Sequence, residues 1–524
     1  MNIIQAYQER IDRFLSSILL APSTPKPLNS KIIHDSVWGT HTFYSWEVGL
    51  IDSPLLQRLR RIHQTGLAYL VFPTATHTRF EHSLGVATLV DSLVHHLNDN
   101  KKFEFISEND RYDLRLSALL HDVGHCFFSH LSEMVYSRMP VFQELSSAIR
   151  EEYEGLEPKG HEIFSFLIVK SSVFQTYFAQ LITTCKLDNN NESLKRHLGE
   201  LDWDKIAGWI IGYSKDTKKK YLAEIINGPF DCDKLDYLAR DAKFAGPVIV
   251  YDIDRFYYTL DTLVNGQYEN LTVTLGGITA LEQILISRMM MFSYIYHHHK
   301  VRASEAMMKR LCFDIINEKA PEVEGTIKIT LNHPVDFLYY TDDIMLGSFS
   351  DSYNIPSHCR NIMKDLVNRN LWVRGIFISD FNLEKGMCNP DYTCLEKDLH
   401  LKVNIEELKS VKNKIVSEAK TIDPSCPIES RDIWIDVPKS PNSDEVSQVQ
   451  IRKSHTLTDS VSLTDVFPIS AWIAAYKAQK WKSHIFCKKE YQRVVYEASR
   501  KLLAEKYEME VQVYTRNICK IERV

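Results

Sequence analysis

The chain has 524 residues, enough for a large core and two or three domains. Its 44% hydrophobic and 25% charged residues are ordinary for a globular protein, and the net charge of −6 argues against a strongly basic nucleic-acid surface. No apolar run reaches the roughly 18 residues that a membrane span takes, so no membrane association is expected.

Taken in chain order, Met1 to Arg10 lacks the charged-then-apolar build of a signal peptide. Residues 1–20 predict a short amphipathic helix, ended by the proline-rich stretch Pro22 to Pro27. From there to about Asp314 the pattern predicts helices almost throughout, as where Val86, Leu89, Val90, Leu93 and Leu97 recur at three- and four-residue spacing. Asp188 to Ser193 and Ser214 to Asp216 read as loops, and Lys218 to Lys220 as a solvated lysine run. After about Ala320 the character changes. Ile327, Ile329 and Leu331 alternate like a strand, as do Ile433, Ile435 and Val437 before Pro438. Lys439 to Ser447 reads as a polar loop, Tyr491 to Leu502 as a helix, and Val511 with Val513 as a closing strand. The expected architecture is therefore mostly α. Residues 1–30 form an N-terminal helix and linker, 31–319 a helical domain, and 320–524 a mixed α/β part with an oligomerisation or regulatory role. The ten cysteines contain no C-x-x-C pair, which disfavours a structural zinc site and a disulfide framework and points to a reducing, cytoplasmic setting.

Four segments carry the chemistry: Arg79 to Gly85, Ala118 to His125, His161-Glu162, and Asp231 to Tyr237. They offer His82, His121, Asp122 and Asp233, two imidazoles and two carboxylates, which suit a divalent ion such as Mn, Fe, Mg or Zn with positions left free for water and phosphate oxygens. A single His-Asp pair says little. With 20 histidines about one such pair arises by chance, and His34-Asp35 is another without ligand-rich surroundings. His121-Asp122 differs in its company, because it ends an apolar run and is followed by His125 and His130 on a segment broken by Gly124. Imidazoles there can hold phosphate oxygens or move protons near neutral pH. Asp233, Tyr237 and Asp241 share one helix face opposite Leu235, Leu238, Ala239 and Ala242, although such a face is often simply solvated. Arg288, Phe292 and Tyr296 share a later face, where aromatic spacing usually means core. His297, His298 and His299 cannot ligate one ion together, since successive helix residues point about 100° apart.

These motifs, together with Gln57-Arg58-Leu59-Arg60 and Phe72-Pro73, resemble the HD-domain deoxynucleoside triphosphate (dNTP) triphosphohydrolases. The likeness covers the bacterial dGTPase-like enzymes and vertebrate members with a sterile-alpha-motif domain, and runs from about Lys31 to Arg310. It implies a helical HD core, a metal held by His82, His121, Asp122 and Asp233, and hydrolysis at the α-phosphorus to a deoxynucleoside plus inorganic triphosphate. It further implies that His125, His130 and His161 are catalytic, with Glu133 standing where a vertebrate relative has an aspartate. Gln64, Arg79, Lys234, Tyr237, Asp241, Arg288, Tyr296 and His298 fall on substrate positions, which leaves His297 and His299 as surface. Thr65 departs from a larger aliphatic residue that packs on the sugar, which bears on exclusion of ribonucleotides. Lys31, Asp52, Gln57, Arg60 and Arg255 match an allosteric site for a guanine nucleotide or dNTP between subunits, which implies a dimer, tetramer or hexamer. Thr274, Gly276 and His299 replace basic residues of a second effector, and Gln57 and Arg60 could equally brace their own helix. Two other readings stay open: an HD phosphohydrolase acting on another nucleotide, and a nucleotide sensor or nucleic-acid binder with latent hydrolase activity.

Overall fold

A computed structural model describes residues 2–19, 28–99, 106–185, 192–249, 251–318, 324–350, 352–379, 382–384, 392–400, 405–438, 449–454 and 456–521. The expected loops at Pro22 to Pro27 and Lys439 to Ser447, and most of Asp188 to Ser193, lie outside these residues. The chain is mostly α with small sheets, and it divides into two compact units. The first comprises residues 1–291, 331–345 and 445–467, and the second 292–330, 346–444 and 468–524. No described helix is long and apolar enough to cross a membrane.

In the first unit the helix Ile3–Ile18 starts where Asn2 accepts a hydrogen bond from the Ile4 N–H, and it buries Tyr7, Ile11, Phe14 and Leu15 at helical spacing. The helix Arg79–Asp99 is buried over most of its length. It packs on Glu108–Leu120, capped by Ser107, and on Cys232–Ala245, capped by Asp231. Each Leu or Val buried there contributes about 1.5–3 kcal/mol. Small glycines set the closest approaches. A Cβ on Gly85 would strike Asp236 and Arg240 of the Cys232–Ala245 helix, and one on Gly124 would lie 2.5 Å from the Ser165 nitrogen.

Two hairpins replace expected helix in this unit. Lys31–Asp35 pairs antiparallel with Gly39–Phe43, and Leu260–Asn265 with Tyr268–Val273. The second turns through Gly266-Gln267, with Gly266 at φ +63°, a position open to glycine without cost, so a glycine opening a two-residue loop is the hairpin signal that overrides the surrounding helical pattern.

The second unit contains a three-stranded antiparallel sheet in the order Val373–Ile378, Ser483–Cys487, Ile433–Asp436, with the helices Gln492–Tyr507 and Ile405–Ile422 against it. Arg302 grips both oxygens of Asp436 at 2.8 and 2.6 Å, tying the helix His299–Asn317 to the sheet. Four expectations are corrected here. Ile327 and Lys328 form a two-residue strand that does not continue to Leu331. Val511 makes only an isolated bridge and Val513 is exposed, so the chain closes on the short helix Thr515–Ile518 in place of a strand. The helix carrying Arg288 stops at Met291, and Phe292–Tyr296 form a π-turn before a new helix starts at His299. The wider π-turn breaks the expected common face of Arg288, Phe292 and Tyr296. His298 caps the new helix, while His297 and His299 are half-buried and not at the surface.

Candidate functional site

The four expected donors converge within the first unit. His82 comes from the buried helix Arg79–Asp99, His121 and Asp122 from the end of Glu108–Leu120, and Asp233 from the first turn of Cys232–Ala245. His82 Nε2 lies 3.3 Å from His121 Nε2, 3.0 Å from Asp233 Oδ1 and 3.6 Å from Asp122 Oδ2, and His121 Nε2 lies 3.3 Å from Asp122 Oδ1. Ligands about 2.1 Å from one ion stand about 3.0–3.4 Å apart, so three of these spacings match a coordination shell, while His82 to Asp122 Oδ2, at 3.6 Å, and His121 to Asp233 Oδ1, at 3.9 Å, are wider. The outer ring nitrogens set the tautomers. His121 Nδ1 meets Ala118 O at 2.7 Å and His82 Nδ1 meets Asp236 Oδ2 at 2.7 Å, which aims both Nε2 lone pairs at the shared point. Burial lowers the His82 pKa, but Asp233 and Asp236 outweigh it and raise it to about 10, and a cation at Nε2 would take that proton's place. Burial pushes the Asp122 carboxyl up, yet the Arg79 guanidinium 2.9 Å away, with His121 and His125, holds it well below the usual carboxylate range. Donor types, spacing and tautomers all fit a divalent ion.

Beside this cluster His125, His130 and His161 gather around Glu133. The rings of His125 and His161 stack at 3.9 Å, with His130 5.1 and 5.2 Å from them. Glu133 Oε2 lies 2.9 Å from His161 Nδ1 and 3.1 Å from His130 Nδ1, while Oε1 accepts from the Gly160 N–H. Burial pushes the Glu133 carboxyl up, but His161 and His130 hold it well below its usual range. Burial, with Arg79 and His161 near, pushes His125 well down, so it stands neutral. A carboxylate on Nδ1 fixes the His161 ring and turns Nε2 to the other side, 3.9 Å from Glu162 Oε1.

The remaining expected residues are placed unevenly. Arg79 reaches Asp122, Ser129 Oγ and Gln64 O. Gln64 Oε1, Thr65 Oγ1 and His125 Nδ1 are buried with no hydrogen-bond partner among the described residues. Lys234 donates to Gly228 O and Asp231 Oδ2, and buried Asp241 meets His77 Nε2 at 2.7 Å. Burial pushes the Tyr237 phenol up to about 12, opposed by Arg288 nearby. Tyr296 and His298 belong to the second unit. Of the expected effector residues, Lys31 bonds Asp52 at 2.7 Å, Arg60 bonds Gln57 at 2.9 Å and stacks on Phe80, and Arg255 bonds Gly276 O. In His34-Asp35, Asp35 serves the fold by accepting from Arg240 and two backbone N–H groups.

Three supporting residues have no assigned role in the sequence reading. Asp236 orients His82 while Arg240 and Trp38 Nε1 hold it in turn. Its i,i+3 spacing from Asp233 was the available signal. Asp236→Asn should weaken metal binding about 10–100-fold with the fold retained, read by metal titration beside circular dichroism. Arg58 donates to Val123 O and His125 O and so pins the histidine loop. Asp342 accepts from the Phe128 N–H at 2.6 Å, the His63 N–H at 2.8 Å and His63 Nδ1 at 2.7 Å. It holds Phe128 and Ser129 at φ +51° and +54°, a conformation costing about 1–3 kcal/mol per residue, just before His130. Asp342→Ala should therefore lower kcat while leaving bound metal unchanged. Parallel loss of both would mean that Asp342 serves only the fold.

This arrangement defines a phosphohydrolase of the HD class. Residues 79–241 match the HD domain and 252–513 the HD-associated region, which is half of the chain, so the protein belongs to the HD-domain family of metal-dependent hydrolases. It is 27% identical over 465 residues to an uncharacterized protein of Methanocaldococcus jannaschii, covering 88% of this chain and 80% of that one. It is 29% identical over 364 residues to the deoxynucleoside triphosphate triphosphohydrolase SAMHD1 of Gallus gallus, covering 65% and 55% of the two chains. With the Homo sapiens SAMHD1 it shares 32% identity over 232 residues, 43% of this chain and 35% of that one. The match thus spans little more than half the length of the Gallus gallus enzyme and about a third of the human one.

Proposed function

We propose that the protein hydrolyses dNTPs to a deoxynucleoside and inorganic triphosphate, as a cytoplasmic homo-oligomer regulated by nucleotide. The observation that carries this reading is the meeting of the four-donor cluster with the His125, His130, His161 and Glu133 group through Asp122, whose Oδ1 lies 3.3 Å from His125 Nε2. His82, His121, Asp122 and Asp233 would hold a divalent ion, which when bound would supply positive charge and Lewis acidity at the phosphate. Arg79, Lys234 and Arg288 neutralise the triphosphate as charge shifts in the transition state. His161, held by Glu133, or exposed His130 protonates the departing 5′ oxygen. Gln64, Tyr237 and Asp241 bind the sugar and phosphates, with Thr65 beside the 2′ position. Lys31, Asp52, Gln57, Arg60 and Arg255 take the activating nucleotide.

The test is incubation with Mn or Mg and the dNTPs and NTPs, separately and mixed, with products resolved by ion exchange. Intact triphosphate beside free deoxynucleoside is expected, with turnover rising in mixtures. Orthophosphate or nucleoside monophosphate as product would overturn the substrate reading and leave the hydrolase class standing.

A further inference from the structure

The second unit carries a donor cluster of different chemistry. Asp314 lies near the end of the helix His299–Asn317, and His358 and Cys359 lie in the first turn of Ser357–Val367, which packs against it. One carboxylate oxygen, one imidazole nitrogen and the thiol sulfur all fall within 4.8 Å of one another; successive helix residues ordinarily diverge, but the His358 ring at the helix start reaches back so that its Nε2 lies 3.5 Å from Cys359 Sγ. Cys359 and Asp314 are buried, and His358 is partly so.

The hydrogen bonds open to the thiol are long, with Cys359 Sγ 4.0 Å from Leu311 O. A single atom, His358 Nε2, faces Cys359 Sγ at 3.5 Å, Asp314 Oδ2 at 3.3 Å and Glu318 Oε1 at 3.6 Å. One N–H can point at only one of them, and the two oxygens are beyond the usual 2.7–3.2 Å. A nucleophilic relay is excluded too, because it would place the thiol and the carboxylate on opposite ring nitrogens. The two distances from His358 Nε2 to Cys359 and Asp314 correspond to edges of a tetrahedron, and the Cys359–Asp314 edge is bounded at 4.8 Å. With Zn–S about 2.3 Å and Zn–N and Zn–O about 2.0–2.1 Å, adjacent S···N and N···O ligand pairs stand about 3.6 and 3.3 Å apart. Arg310 fixes Asp314 by donating to both of its oxygens, at 2.8 and 2.5 Å, as polar neighbours do around ligating carboxylates.

We propose that Asp314, His358 and Cys359 hold a structural zinc ion, with Glu318 or water as the fourth ligand, clamping these two helices together. The Cys359 thiol proton is released to solvent as the sulfur ligates. The absence of C-x-x-C pairs does not bear on this site, because its ligands come from helices more than forty residues apart. Thiolate ligation has a signature that the nitrogen and oxygen donors of the HD cluster cannot give. Full-length protein reconstituted with cobalt should therefore show near-ultraviolet sulfur-to-cobalt charge-transfer absorption, lost in Cys359→Ser. Zinc content should fall by one equivalent per chain in Cys359→Ser and in His358→Ala. Absence of the band in the wild-type chain, or its persistence in Cys359→Ser, overturns the site.

Discussion

Asp122→Asn should reduce hydrolysis to background and strip the HD cluster of its metal. Asp122 is the residue on which the site's charges meet. Its carboxylate lies 2.9 Å from Arg79, 3.3 Å from both His121 and His125, and 3.6 Å from His82, and both it and Arg79 are almost wholly buried. Removing one partner of a buried ion pair costs about 3–5 kcal/mol, because the other charge is left without compensation. Alanine would thus confound loss of metal with loss of fold. Asparagine keeps the volume and still offers an oxygen to Arg79, so its effect falls on the charge available to the cation. The measurements are metal content, product formation and the thermal midpoint. Activity and metal should vanish together while the midpoint falls by several degrees, and His121→Ala should match it in activity. A variant that keeps both metal and turnover would sink the donor assignment.

The four residues that come together were legible because each lies in a short motif whose local geometry presents it. His121 and Asp122 end a helix, and Asp233 occupies a helix's first turn next to the Asp231 cap. The supports were less so. Asp342 acts on residues 214 and 279 positions away, a pairing that only the folded chain makes visible. Lys31–Asp35 lacks clean alternation of polar and apolar residues because the strand is largely exposed, so it gave no period-two signal. Gly266-Gln267, by contrast, was readable as a turn. The helical spacing on either side concealed it. Arg288 and Tyr296 fit one helix by counting, but spacing does not register a π-turn between them.

Gly85→Ala should damage the site without touching any group that meets substrate. Gly85 sits within a regular helix, so left-handed backbone freedom plays no part. What it supplies is room. A Cβ there would fall on Asp236 Oδ1 and Arg240 Nη2 and within 2.8 Å of the Asp236 carboxyl carbon. Those atoms cannot step aside cheaply. Asp236 is held by His82, by two bonds from Arg240 at 2.8 Å and by Trp38, and Arg240 is itself tied to Asp35. Alanine gains about 1 kcal/mol of helix propensity over glycine. Overpacking costs about 1–3 kcal/mol, and displacing a buried ion pair costs about 3–5 kcal/mol, so the loss wins. The methyl pushes the Cys232–Ala245 helix away, and Asp236 then loses its hold on the orientation of His82. Metal affinity should accordingly fall about 10–100-fold, with the thermal midpoint lowered. Isothermal titration with Mn beside a melting curve reads both. An unchanged melt and unchanged affinity would mean that the two helices do not approach this closely, and that Gly85 does not shape the site.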